Sequence, residues 1–281
     1  MSGLMFSLKK PVKSNAGAVT AKKADIVLVD TADILTLPSR DSKGVRMIGN
    51  IVLKPGANMI ELYLTPSTQT PSYESEGEED SESFIHQIEG MHPGNQLEAK
   101  EFFQNNIGRG FIAIWSGCNN ATGKELYGSP CAPLKLQGSF TADNERTGFT
   151  FTFASVQRTS YVPATYEGAI ALAAPYEPAD FELSLTAANG AFYKLPTSAA
   201  ADAIDIAATD LEHGDIVTLI GGGGASPATL SNGAATAGTV QLVGGVDWVA
   251  LSDATIDLQV FGHSIHRLEW LKVNIIILYY G

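Results

Sequence analysis

The chain has 281 residues, 44% hydrophobic and 17% charged, enough to bury one large core or two smaller ones. Thirty acids against 18 bases leave a formal charge of −12, which argues against a sequence-independent grip on duplex DNA, because that grip rests on Lys and Arg neutralising phosphates. A basic partner, or DNA that must pass without sticking, fits the sign better.

The charge is unevenly placed. Residues 1–23 form a basic arm holding Lys9, Lys10, Lys13, Lys22 and Lys23 and no acid, so the arm is +5 and the remainder −17. Such an arm reads as a disordered interaction tail. Its only apolar stretch, "GLMFSL", is too short for a secretory leader. "ADIVLVD" (24–30) is continuously apolar and β-branched, as a buried strand requires. "GVRMIGNIVL" and "NMIELYLT" flank the turn signal "KPGA", so residues 45–64 are expected to form a β-hairpin.

Residues 66–94 then interrupt the pattern with Ser, Thr, Pro and acid. Within them Glu74, Glu76, Glu78, Glu79, Asp80 and Glu82 crowd into nine positions with no cation. Self-repulsion and scarce apolar surface predict a long loop whose task lies outside its own core. A solvated charge cluster is the plain reading, since the spacing of a calcium-binding EF-hand is absent.

"NQLEAKEFFQNNIG" changes the period. Ala99, Phe102, Phe103 and Ile107 fall on one face, which predicts a helix over 95–107 with Asn95 and Glu98 as a capping box and Gly108 as the stop. "GFIAIW" (110–115), "PLKLQGSFTA" (133–142) and "TGFTFTFASVQ" (147–157) are expected strands. In the last, Phe149, Phe151 and Phe153 share one face and Thr150 and Thr152 the other. Cys118 and Cys131 are expected as free thiols, with a disulfide as the alternative if the flanking strands pair.

Three prolines in 161–180 mark a boundary, with 169–180 as linker. Residues 181–265 carry short strand candidates, "DFELSLTA", "AIDIAA", "DIVTLIG", "TVQLVGG", "DWVALS" and "TIDLQVFG", at the spacing of a small accessory β-sandwich. Residues 266–281 end in the most apolar stretch, "LEWLKVNIIILYYG". It is short of the ~20 residues that a membrane helix needs, so it is expected as a buried or interface strand without membrane contact.

Signatures of chemistry are weak. "IGGGGASPATL" meets neither phosphate-loop nor dinucleotide spacing, and Gly221–Gly224 read as a flexible connection. His263 and His266 alone are close enough to suggest a shared metal, but in a strand they point to opposite faces. No nucleophile elbow is present, and Cys118 lacks a recognisable base. The expectation is therefore no enzyme, no cofactor and no metal.

The order strand, hairpin, charged loop, helix, apolar strand, followed by "YGSPCAPLKLQGSFTADNERTGFTFTFASVQRTSYVPATYEG", resembles the major tail or tail tube proteins of tailed bacteriophages, particularly phages of Bacteroidetes. The likeness covers 24–168. It implies a mainly β fold, a sandwich or open barrel with one flanking helix, here with a second small C-terminal β-sandwich. It also implies six copies closing into rings that stack into a DNA conduit, other tail proteins as partners, and a virion protein assembled in the bacterial cytoplasm. On that reading Glu74–Glu82 either supply negative potential near the lumen or pair with the arm lysines of an adjacent subunit. The competing expectations are another virion part (capsid-stabilising, decoration or neck protein) and a carbohydrate-binding module in which Trp248 stacks on a sugar unless the core claims it.

Overall fold

The computed structural model describes residues 7–10, 17–19, 21–118, 123–261 and, as backbone, 273–276. The chain is mainly β, with one α-helix among the described residues. The first half contains β1 (Asp25–Asp30), β2 (Ile34–Thr36), β3 (Arg46–Ile48), β4 (Val52–Leu53), β5 (Ile60–Tyr63), β6 (Thr70–Glu76), β7 (Ser83–Pro93), α1 (Leu97–Asn106), β8 (Gly110–Ser116), β9 (Lys124–Tyr127), β10 (Leu134–Ala142), β11 (Thr147–Ser155) and β12 (Ala164–Glu167). Ten of these strands make one sheet, in the order β3-β12-β9-β8-β10-β11-β7-β6, with β1 joining β8 to β5.

The sheet divides at β8. Only Leu134 and Lys135 of β10 pair with it, opposite Phe111 and Gly110, whereas β9 takes the rest of that edge. The strands β10-β11-β7-β6 therefore form a separate layer over β1, β5 and β8. Between the layers lie Ile26, Leu28, Leu62, Leu64, Ile88, Phe111, Phe149, Phe151 and Phe153. Alternate residues Val27, Val29, Ile112 and Ile114 point the other way, into a second core with Met47, Ile51, Val52 and Tyr166. Burial on both faces is why "DIVLVD" and "GFIAIW" are apolar at every interior position instead of alternating.

Two strand connections in this half differ from expectation. Residues 45–64 are not a hairpin: β3 pairs with β12, β4 with β2 and β5 with β1. The Pro55-Gly56 turn forms, with the Ala57 N–H donating to the Lys54 carbonyl. Its flanks separate because Met47, Ile51 and Val52 belong to the second core and Leu62 and Leu64 to the first. Residues 66–94, expected as a loop, contain the hairpin β6–β7, in register from Thr70 opposite Glu89 to Glu76 opposite Ser83. His86, Ile88 and Gly90 alternate inward on β7, and that strand's ladder holds the polar β6 at the sheet edge.

The helix starts two residues later than expected. Gln96 is its N-cap without a side-chain cap bond, so the Asn95–Glu98 box does not form. Ala99 is buried, and Phe102 and Phe103 pack on Phe149 and Phe151. Ile107, at the extended C-cap, leaves that face and is 57% exposed.

The second half contains β13 (Glu182–Leu185), β14 (Phe192–Lys194), β15 (Asp205–Thr209), β16 (Ile216–Ile220), β17 (Thr229–Leu230), β18 (Gly233–Ala235), β19 (Gly238–Gln241), β20 (Trp248–Val249), β21 (Thr255–Phe261) and β22 (Val273–Ile276). Its sheet runs β14-β16-β21-β22-β19-β18, with the ribbons β13-β15 and β17-β20 beside it. All six predicted strand segments are strands. Their alternate residues, Leu183, Leu185, Ile206, Val217, Leu219 and Leu258 among them, fill a third core. β22 lies between β21 and β19 with both edges paired, so 273–276 is an interior strand of this sheet; residues 266–272 and 277–281 of the expected C-terminal strand lie outside the described residues.

The start of the expected linker, residues 169–171, is packed into the second core, whereas most of 172–180 is exposed. Met59 N–H donates to the Ala171 carbonyl, Ala171 is buried, and Phe192 and Ile220 of the second half complete the second core. Gly221–Gly224 are likewise no flexible connection: Ser198 N–H donates to Gly223 O and Gly223 N–H to Ala250 O. A methyl on Gly222 would lie 2.1 Å from Pro196 O and 2.3 Å from Leu195 O. Gly222→Ala is expected to cost about 2–4 kcal/mol by forcing backbone apart, measurable as a lower urea midpoint.

Candidate functional site

The sheet β10-β11-β7-β6 has two unlike faces. Directly paired residues share a face, so the register assigns every side chain. Phe149, Phe151, Phe153, His86 and Ile88 face inward, with Phe140 and Tyr73 continuing that row. The outward face carries Gln137, Ser139, Thr141, Thr150, Thr152, Gln87, Glu89, Thr70, Ser72, Glu74 and Glu76, interspersed with Ile85, Met91 and Ala154. Lys135 is its one cation, and its Nζ donates to the Gly108 carbonyl at 2.8 Å.

Both edges of this sheet are open among the described residues. β6 has β7 on one side only, and β10 beyond Lys135 has only β11. Backbone hydrogen bonds fix which residues point their peptide groups to these edges. Phe84 exchanges both backbone bonds with Thr159, on the β11 side of β7, so Ile85 and its alternates bond to β6. Glu74 and its alternates are thereby used, and Pro71, Tyr73 and Ser75 point to the free side. At the other edge Asp143 N–H donates to Arg146 O. Odd-numbered β10 residues therefore bond to β11, and Leu136, Gly138, Phe140 and Ala142 point outward.

The predicted carboxylates separate into two groups. Glu74 and Glu76 lie on β6, and Glu76 pairs with Arg158 at 3.2 Å. Glu78, Glu79, Asp80 and Glu82 occupy the exposed hairpin tip, where Ser81 N–H donates to Glu78 O and Glu78 N–H to Ser81 Oγ at 3.1 Å. None of the ion pairs among the described residues joins an arm lysine to this hairpin. Lys9 and Lys10 are exposed, and Lys13 lies outside the described residues. Residues 21–23 are docked, which corrects the wholly free arm: Lys22 bridges Gly117, Cys118 N–H donates to Ala21 O, and Lys22 Nζ donates to Gln69 O.

Gln69 is the fixing point that sequence reasoning missed. It is buried, donates to the Lys23, Ala24 and Leu64 carbonyls at 2.8–3.0 Å, and accepts from Trp115 Nε1 at 3.0 Å. It thereby sets where β6 begins. Glu89 was missed because it lies outside the carboxylate run, although its Oε2 accepts from Thr152 on the same outward face. The exposed aromatics Tyr73 and Phe140 were not singled out by the sequence reading.

The other expected positions are plainly placed. Trp248 is partly buried and packs against the third core, opposite Leu230. Cys118 and Cys131 are free and exposed. His263 and His266 lie outside the described residues, and among the described residues no three His, Cys, Asp or Glu side chains converge as a metal site. No described helix is long and apolar enough to cross a membrane. A cleft of about 470 Å³ opens between the halves beside Lys124, Glu167 and Asp215. Lys124 Nζ donates to Gly168 O there and lies 5.4 Å from the Tyr166 ring centre. Burial lowers its pKa.

Comparison with protein-family models, curated proteins and solved structures finds no match for this chain.

Proposed function

We propose that this protein is a virion structural protein whose copies close into rings, six to a ring, that stack into a phage tail tube for DNA passage. One observation carries the reading: a four-stranded antiparallel sheet with an open edge on each side. Its edges differ, so the contact is head-to-tail and closes into a ring when the rotation permits. Because the four strands alternate in direction, β6 of one copy meets β10 of the next antiparallel, and the alternation continues unbroken around the ring.

The faces support the same use. The apolar face is covered by α1, β1 and β5, which leaves the Ser/Thr/Gln/Glu face for the bore. With strands ~4.8 Å apart, six copies give a backbone circumference of about 115 Å and a diameter of about 37 Å. Glu74 and Glu89 on that wall repel phosphate, while Glu76 is paired with Arg158 and Lys135 is held at the Gly108 carbonyl. This is the function that the acidic segment would serve on β6. At the hairpin tip it would serve solubility or contact between rings.

Electron microscopy of the purified chain tests the reading. Six-fold rings or tubes are expected. Dispersed monomers, or trimers that bind only to capsid lattices, overturn it and move the assignment to a decoration or neck protein.

A further inference from the structure

The edge geometry goes further and selects one register for the contact, an inference that rests on the ring reading. We propose that β6 of one copy joins β10 of a second with Tyr73 opposite Phe140, Ser75 opposite Gly138 and Pro71 opposite Ala142.

Three observations converge. The free peptide groups belong to Tyr73, Ser75 and, as a carbonyl alone, Pro71 on one edge and to Leu136, Gly138, Phe140 and Ala142 on the other. Only registers that oppose these two sets make a ladder, and a slip of one residue would also turn the polar face of one copy onto the apolar face of the next. The registers that remain are separated by two residues, and the one with Tyr73 opposite Phe140 lies between those with Tyr73 opposite Gly138 and opposite Ala142. Tyr73 is 52% exposed and Phe140 41%, although both continue the inward row. Each is packed by a ring of its own chain, Tyr73 by Phe84 at 6.5 Å and Phe140 by Phe149 at 4.9 Å, and is bare on the edge side. The middle register pairs the two, and a cross-strand aromatic pair is a stabilising unit of a sheet. It also puts Pro71, which has no N–H, at the end of the ladder where that loss is least, and sets Gly138, close beneath Phe103, against the small Ser75.

The register fixes the pairs between hydrogen-bonded rungs: Glu74 opposite Ser139, with Cα atoms ~4.5 Å apart, within disulfide reach. In the two shifted registers Glu74 instead faces Gln137 or Thr141. On a C118S/C131S background, the double variants E74C/S139C, E74C/Q137C and E74C/T141C are oxidised at equal concentration and run on non-reducing gels. Glu74 and Ser139 are exposed, and heat unfolding before oxidation checks that each variant is folded. E74C/S139C is expected to give a ladder of multimers, reversed by reductant, on the order of tenfold more abundant than with either shifted pair, as proximity dictates. Rings in the microscope with a shifted pair dominating, or with no pair cross-linking, overturn the register and leave the ring reading standing. Neither rings nor cross-links overturns both.

Discussion

Asn50→Ala is expected to lower the stability of the whole chain by about 2–4 kcal/mol, because it strips partners from a buried polar junction between the halves. Asn50 is 1% exposed. Its Nδ2 donates to Thr218 Oγ1 at 2.9 Å and to the Ile216 carbonyl at 3.3 Å, and its Oδ1 accepts from Ala169 N–H at 2.7 Å. Thr218 in turn donates to Asp257 Oδ1 at 2.6 Å, and Asp257 Oδ2 accepts from Asn50 N–H at 3.2 Å. Tyr166 accepts from Ile51 N–H and donates to Ala169 O. One amide thus ties the segment before β4, the stretch after β12 and strand β16. Alanine would leave the part-buried Ala169 donor and Ile216 acceptor, and the buried Thr218 hydroxyl, each short of a partner. At ~2–4 °C per kcal/mol for a chain of this size, the midpoint shift is readily measured by calorimetry. An unchanged midpoint would mean that the shared apolar core alone holds the halves together. Asn50→Asp is expected to be worse at neutral pH, since it sets a second carboxylate beside Asp257. Burial already raises the Asp257 pKa above its usual 3.8. The native state therefore favours the protonated acid: that contribution is complete below 3.8 and is lost as pH rises through the folded pKa.

What the sequence disclosed depended on whether the governing signal was local. Alternation in "TGFTFTFAS" placed β11 and its phenylalanines, and the double-sided apolar runs placed β1 and β8, because burial on one or two faces writes itself directly into the residue pattern. The hairpin β6–β7 was hidden because β6 has no apolar pattern of its own: its strand state is imposed by β7, and acids over Thr70–Glu82 read as a repelling loop. "KPGA" announced a turn truthfully, but a turn says nothing about which strands its flanks join, and two different cores claimed them. The tetraglycine was misread for the same reason, since glycine marks either freedom or close backbone approach, and only the positions of Leu195, Pro196 and Ala250 decide between them. For the candidate site, the acids were visible. The open edges, Gln69, Glu89 and the exposed Tyr73 and Phe140 were not, because an edge is defined by strands that fail to arrive.

Stability is expected to fall as pH drops from 7.5 through 6.5 and below, with His86 responsible at the base of the hairpin. His86 is 1% exposed. Gly128 N–H donates to its Nδ1 at 3.0 Å, so that nitrogen is unprotonated, and Nε2–H donates to the Tyr161 carbonyl at 2.9 Å. The neutral ring is thus satisfied at both ends and joins β7 to the segment after β9 and to the strand-like stretch that bonds Phe84. A second proton would face the Gly128 N–H, donor against donor, and would lose one bond to gain a buried charge. Burial first, and the nearby Arg40 charge as well, lower the ring's pKa below 6.5 against the opposing pull of the Tyr161 carbonyl. The unfolded chain therefore binds the proton more readily. The stabilisation is whole above 6.5 and drains as pH falls through the folded pKa. Asp257 runs with the opposite sign, so the variant is needed to separate them. His86→Gln is expected to cost about 1–3 kcal/mol at pH 7.5 and to flatten the slope of stability against pH between 7 and 5, so the gap from the parent narrows on acidification. Parallel urea-midpoint curves for parent and variant would assign the acid sensitivity elsewhere. Since the ring holds β7, and β7 holds the β6 edge, the same titration is expected to lower the pH stability of any assembly that uses that edge, with loss of multimers beginning before global unfolding.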